Sequence, residues 1–143
     1  KHKGANIFEI GSGNMGATNV ARALGFRYAA LTWVIDCAKG IVAVLVGRLL
    51  IAQNWAAGGV IAAIAAIIGH NWSVFVMVLT GKLRGGKGAA IAGGTWLLLA
   101  PIHLVLVTYG IFSLVVLRTH IMSLAVLATV GISVLWMLIL VGQ

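Results

Sequence analysis

Acidic residues are almost missing from this chain: Glu9 and Asp36 stand alone against ten Lys and Arg in 143 residues. With no motif linking either carboxylate to a nucleophile, a Ser-His-Asp arrangement is excluded. Cysteine occurs once, so an internal disulfide is excluded, and Cys37 lies in an apolar run where a thiol behaves as a small hydrophobe. Proline also occurs once, at Pro101. Charged residues make up only 8% of the chain and hydrophobic residues 62%, far from the ~25% and ~45–50% of a soluble domain. Water is therefore not its main solvent. No Ser/Pro-rich linker or acidic tail divides the sequence, and residues 1–143 read as one domain. The chain opens on Lys1 and shows no secretory signal, which suggests a piece of a longer protein.

What is present is long apolar runs: Ala29 to Ile51, Trp55 to Thr80, Ala89 to Leu117 and Ile121 to Val141. Each meets or approaches the ~20 residues a helix needs to cross ~30 Å of hydrocarbon. They are continuous rather than alternating, which predicts helices and not a barrel, so the fold class is all-α: a polytopic integral membrane helix bundle. Only Gln53 and Asn54 separate the first two runs, predicting a tight hairpin whose turn, free of Lys and Arg, faces outside. Residues 1 to 28, with Lys1, Lys3, Arg22 and Arg27, then share the inner side with Lys82, Arg84 and Lys87. The third run is too long for one upright crossing and too short for two, and Pro101 predicts two shorter or tilted segments that bring Arg118 back inside. Small residues crowd the second run (Ala56, Ala57, Gly58, Gly59, Ala62, Ala63, Ala65, Ala66) and predict close helix packing.

The cations could serve nucleic acid, anionic lipid or an anionic substrate. A chain this apolar lacks the exposed basic and aromatic surface of a nucleic-acid module, and Trp55 and Trp72 near run ends suit membrane interfaces. Gly11-Ser12-Gly13-Asn14-Met15-Gly16-Ala17-Thr18-Asn19 formally matches a dinucleotide fingerprint after the strand-like Ile7 to Ile10. Asp36 lies inside an apolar run and no second βαβ unit follows, so that reading fails. The glycines can still turn backbone N–H groups toward an anion, Ser12, Thr18 and Asn19 add donors, and Arg22 adds a fork; a helix starting near Asn14 would add its dipole. A polar turn capping a helix is the plainer alternative.

Gly81-Lys82-Leu83-Arg84-Gly85-Gly86-Lys87-Gly88 nearly matches a P-loop. Gly88 replaces the Mg²⁺-holding Ser/Thr and no strand precedes it, so NTP hydrolysis is not expected while an oxyanion cradle is. The alternative is an ordinary basic inner loop. Asp36 and Lys39, three apart on one helical face within a membrane run, are expected to pair or to touch the polar site. Arg48 reads as a snorkelling end residue. His2, His70, His103 and His120 show no paired metal-ligand spacing and no cysteine partner, so no metal is expected. His103 and His120 read as interfacial.

The Gly11-to-Asn19 stretch with Arg22, then Asp36-Cys37-Ala38-Lys39-Gly40, then Gly69-His70 with Val74-Phe75, and finally Gly85-Gly86-Lys87-Gly88 resemble the bacterial acyl-phosphate glycerol-3-phosphate acyltransferases, the PlsY family, in order and approximate spacing. The resemblance implies a multi-pass bacterial inner-membrane enzyme whose active site faces the cytoplasm. Its reaction moves a fatty acyl group from acyl phosphate to the 1-hydroxyl of glycerol 3-phosphate, giving lysophosphatidic acid and phosphate, with no metal, nucleotide, coenzyme A or other cofactor. Matched by position, Ser12, Arg22 and Lys87 fall on catalytic, phosphate-holding places, and Thr18 also meets phosphate. Gly11, Gly13, Asn14, Asn19 and His70 shape the substrate pocket, Gly85, Gly86 and Gly88 let the loop approach glycerol 3-phosphate, and Ser123 is matched to a later serine-bearing block.

Family members usually begin with another hydrophobic helix and end with a His-, Asn- and Glu-containing block, both missing here. Ser73 stands where proline is usual, the segment from His70 to Lys87 is longer, and His120 occupies a place that often holds Arg. A transporter for an organic anion and a noncatalytic lipid-binding relative are the competing classes.

Overall fold

The computed structural model describes residues 6–141, with side chains through Ile139; Lys1, His2 and Lys3 lie outside the described residues. Each apolar run becomes helix because lipid offers no partner for a backbone N–H or C=O, which must be matched within the segment. The helices are α1 (Ala17–Leu24), α2 (Phe26–Leu50), α3 (Trp55–Asn71), α4 (Val74–Thr80), α5 (Ala89–Leu99), α6 (Ile102–Thr119) and α7 (Met122–Val141). Among the described residues there is no strand. The strand-like Ile7 to Ile10 forms instead a 3-10 turn over Ile7–Glu9, closed by the Asn6 side chain accepting from Phe8 N at 3.1 Å. Without a partner strand, the local Asn turn prevails.

Four segments are long and apolar enough to cross a membrane: Phe26–Leu50, Ala52–Thr80, Ile102–Thr119 and Met122–Ile139. The α2–α3 hairpin turns through Ala52–Asn54, and Asn54 caps α3 by accepting from Ala57 N at 3.1 Å. Close packing follows from the small residues, as expected. A Cβ on Gly47 or Gly58 would meet the other's carbonyl oxygen, and one on Gly59 would meet Val44 and Arg48. On its other side α2 takes α5 at similarly close range, Gly40 lying against Ile91 O and Thr95 and Gly94 against Cys37 O.

Three findings depart from the sequence reading. The second run is broken: α3 ends at Asn71 and α4 restarts after Ser73, whose hydroxyl accepts from Val76 N at 3.4 Å. The glycine stretch enters helix at Ala17 rather than near Asn14, because the Asn14 carbonyl is held by the Asn19 amide at 2.8 Å. Arg48 does not simply snorkel; it donates to Leu98 O at 2.7 Å and lies 4.7 Å over the Trp55 ring, serving the open carbonyls at the end of α5.

The third run breaks where Pro101 predicts, α5 ending at Leu99 and α6 starting at Ile102. With 11 residues, α5 reaches only about 16 Å, roughly half the hydrocarbon core. Residues up to Leu99 form one compact unit and those from Ala100 another. In the second, α6 and α7 are joined through left-handed His120 (φ 56°), pack around Leu104, Val105, Thr108 and Ala125, and set the His103 and Trp136 rings 5.6 Å apart.

Candidate functional site

The first glycine loop is organised from below by one side chain. Asn19 in α1 is 2% exposed. Its oxygen accepts from Ser12 N at 3.0 Å, and its nitrogen donates to the carbonyls of Ile7 (3.1 Å), Ile10 (2.9 Å) and Asn14 (2.8 Å). Every polar atom of that amide is committed to the loop. Gly11 (φ 55°) must be glycine twice over: its φ is left-handed, and a Cβ would strike the Asn19 oxygen. Arg22 follows Asn19 by one turn, and its Cδ lies 3.4 Å from where a Gly11 Cβ would be. The Arg22 side chain thus rests on the loop, while Ser12 and Thr18 are exposed beside it.

The second glycine loop is docked onto the broken end of α3. A helix end leaves carbonyls without intrahelical partners, and Gly86 N donates to one of them, His70 O, at 3.1 Å. A Cβ on Gly85 would overlap His70 O, and one on Gly86 would overlap the His70 imidazole at Nε2. These glycines are therefore needed for the loop's own seating. Gly88 (φ 72°) faces the Asn71 side-chain oxygen, and its carbonyl starts α5 by accepting from Ala92 N at 2.8 Å. Lys87, between the seated glycines, is exposed.

The two loops meet through a contact that sequence reasoning missed. The Arg84 guanidinium lies 3.7 Å over the Phe8 ring, and the Phe8 carbonyl faces Gly13 at 3.1 Å from the position of a Cβ. Arg84 is visible in the sequence only as one cation of a basic loop, and Phe8 only as part of the strand-like Ile7 to Ile10. Helix directions agree with the contact: Gly47 meets Gly58 at one end of the antiparallel α2–α3 pair, while Asp36 approaches His70 toward the other, loop-bearing end.

Beneath the second loop lies a buried polar cluster. Asp36, 4% exposed, accepts from Lys39 Nζ at 3.0 Å, the pairing expected from their spacing, and faces His70 Nδ1 at 3.8 Å. Among the described residues the other carboxylate, Glu9, accepts from Asn6 at 2.7 Å, and no ion pair engages Arg22, Arg84 or Lys87. The loops thus present cations and backbone donors without built-in counter-charge, a setting for anions. No group of three His, Cys, Asp or Glu side chains that could hold a metal occurs among the described residues. Of the site residues expected from sequence, Ser12, Arg22 and Thr18 gather at the first loop with Gly11, Gly13, Asn14 and Asn19, and His70, Gly85, Gly86, Lys87 and Gly88 at the second. Ser123 is exposed in the first turn of α7, in the other unit.

The family model for glycerol-3-phosphate acyltransferases matches residues 1–143. The chain belongs to the glycerol-3-phosphate acyltransferase family. It is 45% identical over 120 residues to the glycerol-3-phosphate acyltransferase of Thermus thermophilus, covering 84% of this chain and 56% of that one. Its identity to the Rubrobacter xylanophilus relative is 41% over 133 residues, covering 91% and 61%. The crystal structure of PlsY, an integral membrane glycerol 3-phosphate acyltransferase, in its glycerol 3-phosphate form superposes with a TM-score of 0.77 at 29% identity, over 95% of this chain and 64% of that one. The lysophosphatidic acid form of PlsY gives 0.71 at 30% identity, over 90% and 62%. This acyltransferase-family chain is thus a multi-pass membrane protein that spans a little over half the length of the curated relatives it matches.

Proposed function

We propose that the protein carrying this chain transfers a fatty acyl group from acyl phosphate to the 1-hydroxyl of glycerol 3-phosphate, releasing lysophosphatidic acid and phosphate. The observation that carries this reading is the juncture of two cation-bearing glycine loops through Arg84 and Phe8. Both reactants bear phosphate, and one bears an acyl chain that lipid-facing helices can accommodate. In this reading Ser12, Thr18, Arg22 and Lys87 hold the phosphate groups, and the glycines let backbone N–H groups approach them.

Acyl phosphate is already activated, so the protein needs chiefly to align hydroxyl with carbonyl and stabilise the departing phosphate. The hydroxyl oxygen attacks the acyl carbon, the bond from that carbon to the phosphate oxygen breaks, and the hydroxyl proton passes to a substrate phosphate. A phosphate is assigned as the proton acceptor, and within this chain both carboxylates are already engaged, Glu9 by Asn6 and Asp36 by Lys39. The site is assigned to the cytoplasmic side of a bacterial inner membrane: Arg22, Arg27, Lys82, Arg84 and Lys87 cluster at its end of the helices, whereas the Gln53–Asn54 turn carries no cation.

The test uses the full-length protein in proteoliposomes supplied with acyl phosphate and labelled glycerol 3-phosphate. Labelled lysophosphatidic acid, with matching phosphate release, supports the reading. Solute uptake or counterflow without a new lipid product would replace it with an organic-anion transporter, and neither would leave a lipid-binding relative.

A further inference from the structure

Asp36 is not among the residues assigned above to either substrate, yet it is the carboxylate buried within the membrane-spanning part of the chain. An ionisable group at that depth must be matched, and Asp36 faces two groups, Lys39 Nζ from its own helix and His70 Nδ1 from α3. Lys39 is half-exposed, whereas the His70 side chain is buried, so the imidazole is the partner held in place. On the opposite edge of that ring, Nε2 lies against Gly86, and the His70 carbonyl receives the Gly86 N–H. The buried His70 ring therefore lies between Asp36, 3.8 Å from Nδ1, and the backbone next to Lys87.

We propose that Asp36 is a positioning residue that acts through His70 to set the second glycine loop and the reach of Lys87. The break between α3 and α4 is what allows this. In an unbroken helix the N–H of its own fourth neighbour would already bond the His70 carbonyl, and the next turn would crowd the approach of Gly86. The first loop is organised separately by Asn19 and meets the second at Phe8 and Arg84. The kinetic half of the proposal rests on the acyltransferase reading, whereas the conformational half does not.

The experiment compares full-length wild type with Asp36→Asn by hydrogen exchange and by kcat/KM, each also in a Lys87→Ala background. Exchange across 82–88 is expected to quicken about tenfold or more while that of 11–16, still held by Asn19, changes by less than about twofold. The loss in kcat/KM should be about 10- to 100-fold, as for a misplaced group, and should shrink to under about twofold once Lys87 is absent. Asp36→Glu should recover part of the loss. Unchanged exchange at 82–88, equal loosening of both loops, or an undiminished Asp36→Asn effect in the Lys87→Ala protein would each overturn the proposal. Should Asp36→Asn fail to fold, His70→Leu keeps the carbonyl, adds no bulk against Gly86, removes the nitrogen facing Asp36, and must give the same loop-selective exchange. If that pattern appears in a protein that makes no lysophosphatidic acid, the functional reading fails while the linkage stands.

Discussion

Asn19→Ala removes the side chain on which the first glycine loop is built. Four hydrogen bonds disappear, to Ser12 N and to the carbonyls of Ile7, Ile10 and Asn14. Each contributes about 0.5–1.5 kcal/mol net, and water reaching the exposed loop recovers part, leaving about 2–4 kcal/mol of local destabilisation. At 1.4 kcal/mol per tenfold, the open loop becomes about 30- to 700-fold more populated. Ser12 and the Gly13 backbone then lose their fixed places beside Arg22. Because α1 lies outside the membrane spans, the thermal midpoint in detergent should move by no more than a few degrees, about the effect of 1 kcal/mol in a chain of this size. Hydrogen exchange of residues 10–16 with kcat/KM on the same preparation reads out the effect. Full protection of the Ser12 amide together with kcat/KM within about threefold of wild type would refute the assignment of Asn19 as the loop's organiser.

Lys87→Ala and Arg22→Ala, both at exposed positions, should lower kcat/KM by about 100- to 1,000-fold with little change in thermal midpoint. Near-full turnover in either variant counts against electrostatic phosphate handling. Gly58→Val forces α3 away from Gly47 and should cost about 1–3 kcal/mol, read as a lowered thermal midpoint; an unshifted midpoint contradicts the close crossing. Arg48→Met removes the charged donor to Leu98 O, worth about 1.5–3 kcal/mol, and should lower stability while the folded fraction keeps its turnover. Lost turnover in that folded fraction would contradict placing Arg48 at the end of the helices away from the loops.

Much of this architecture is legible in the residues because the membrane enforces a simple rule: a continuous apolar run must satisfy its own backbone. The α2–α3 hairpin, the interruption at Pro101, the close packing of Gly58 and Gly59 and the Asp36–Lys39 pair all follow from local spacing or composition. The break at Trp72 and Ser73 does not, since the apolar residues up to Ile68 and from Val74 read together as one run long enough to cross the membrane. Its signals were Asn71 and Ser73 flanking Trp72, with Ser73 placed to cap the following Val-Phe-Val. Ile7 to Ile10 is strand-like in composition but has no strand to pair with among the described residues, and only Asn6 hints at the turn. The glycines of both loops read from sequence as room for a ligand; the structure adds that Gly11 makes room for Asn19, and Gly85 and Gly86 for His70. Phe8 on Arg84 joins residues far apart in the chain, and nothing local to either one signals the other.

The central requirement is that both cationic loops open to one side of the membrane. Single cysteines at Ala21 and Lys82, exposed positions beside the two loops, can be placed in a Cys37→Ala protein and probed in sealed, oriented vesicles with a membrane-impermeant maleimide. Both should label from the same side; labelling of Ala21→Cys from one side and Lys82→Cys only from the other would contradict the proposed site.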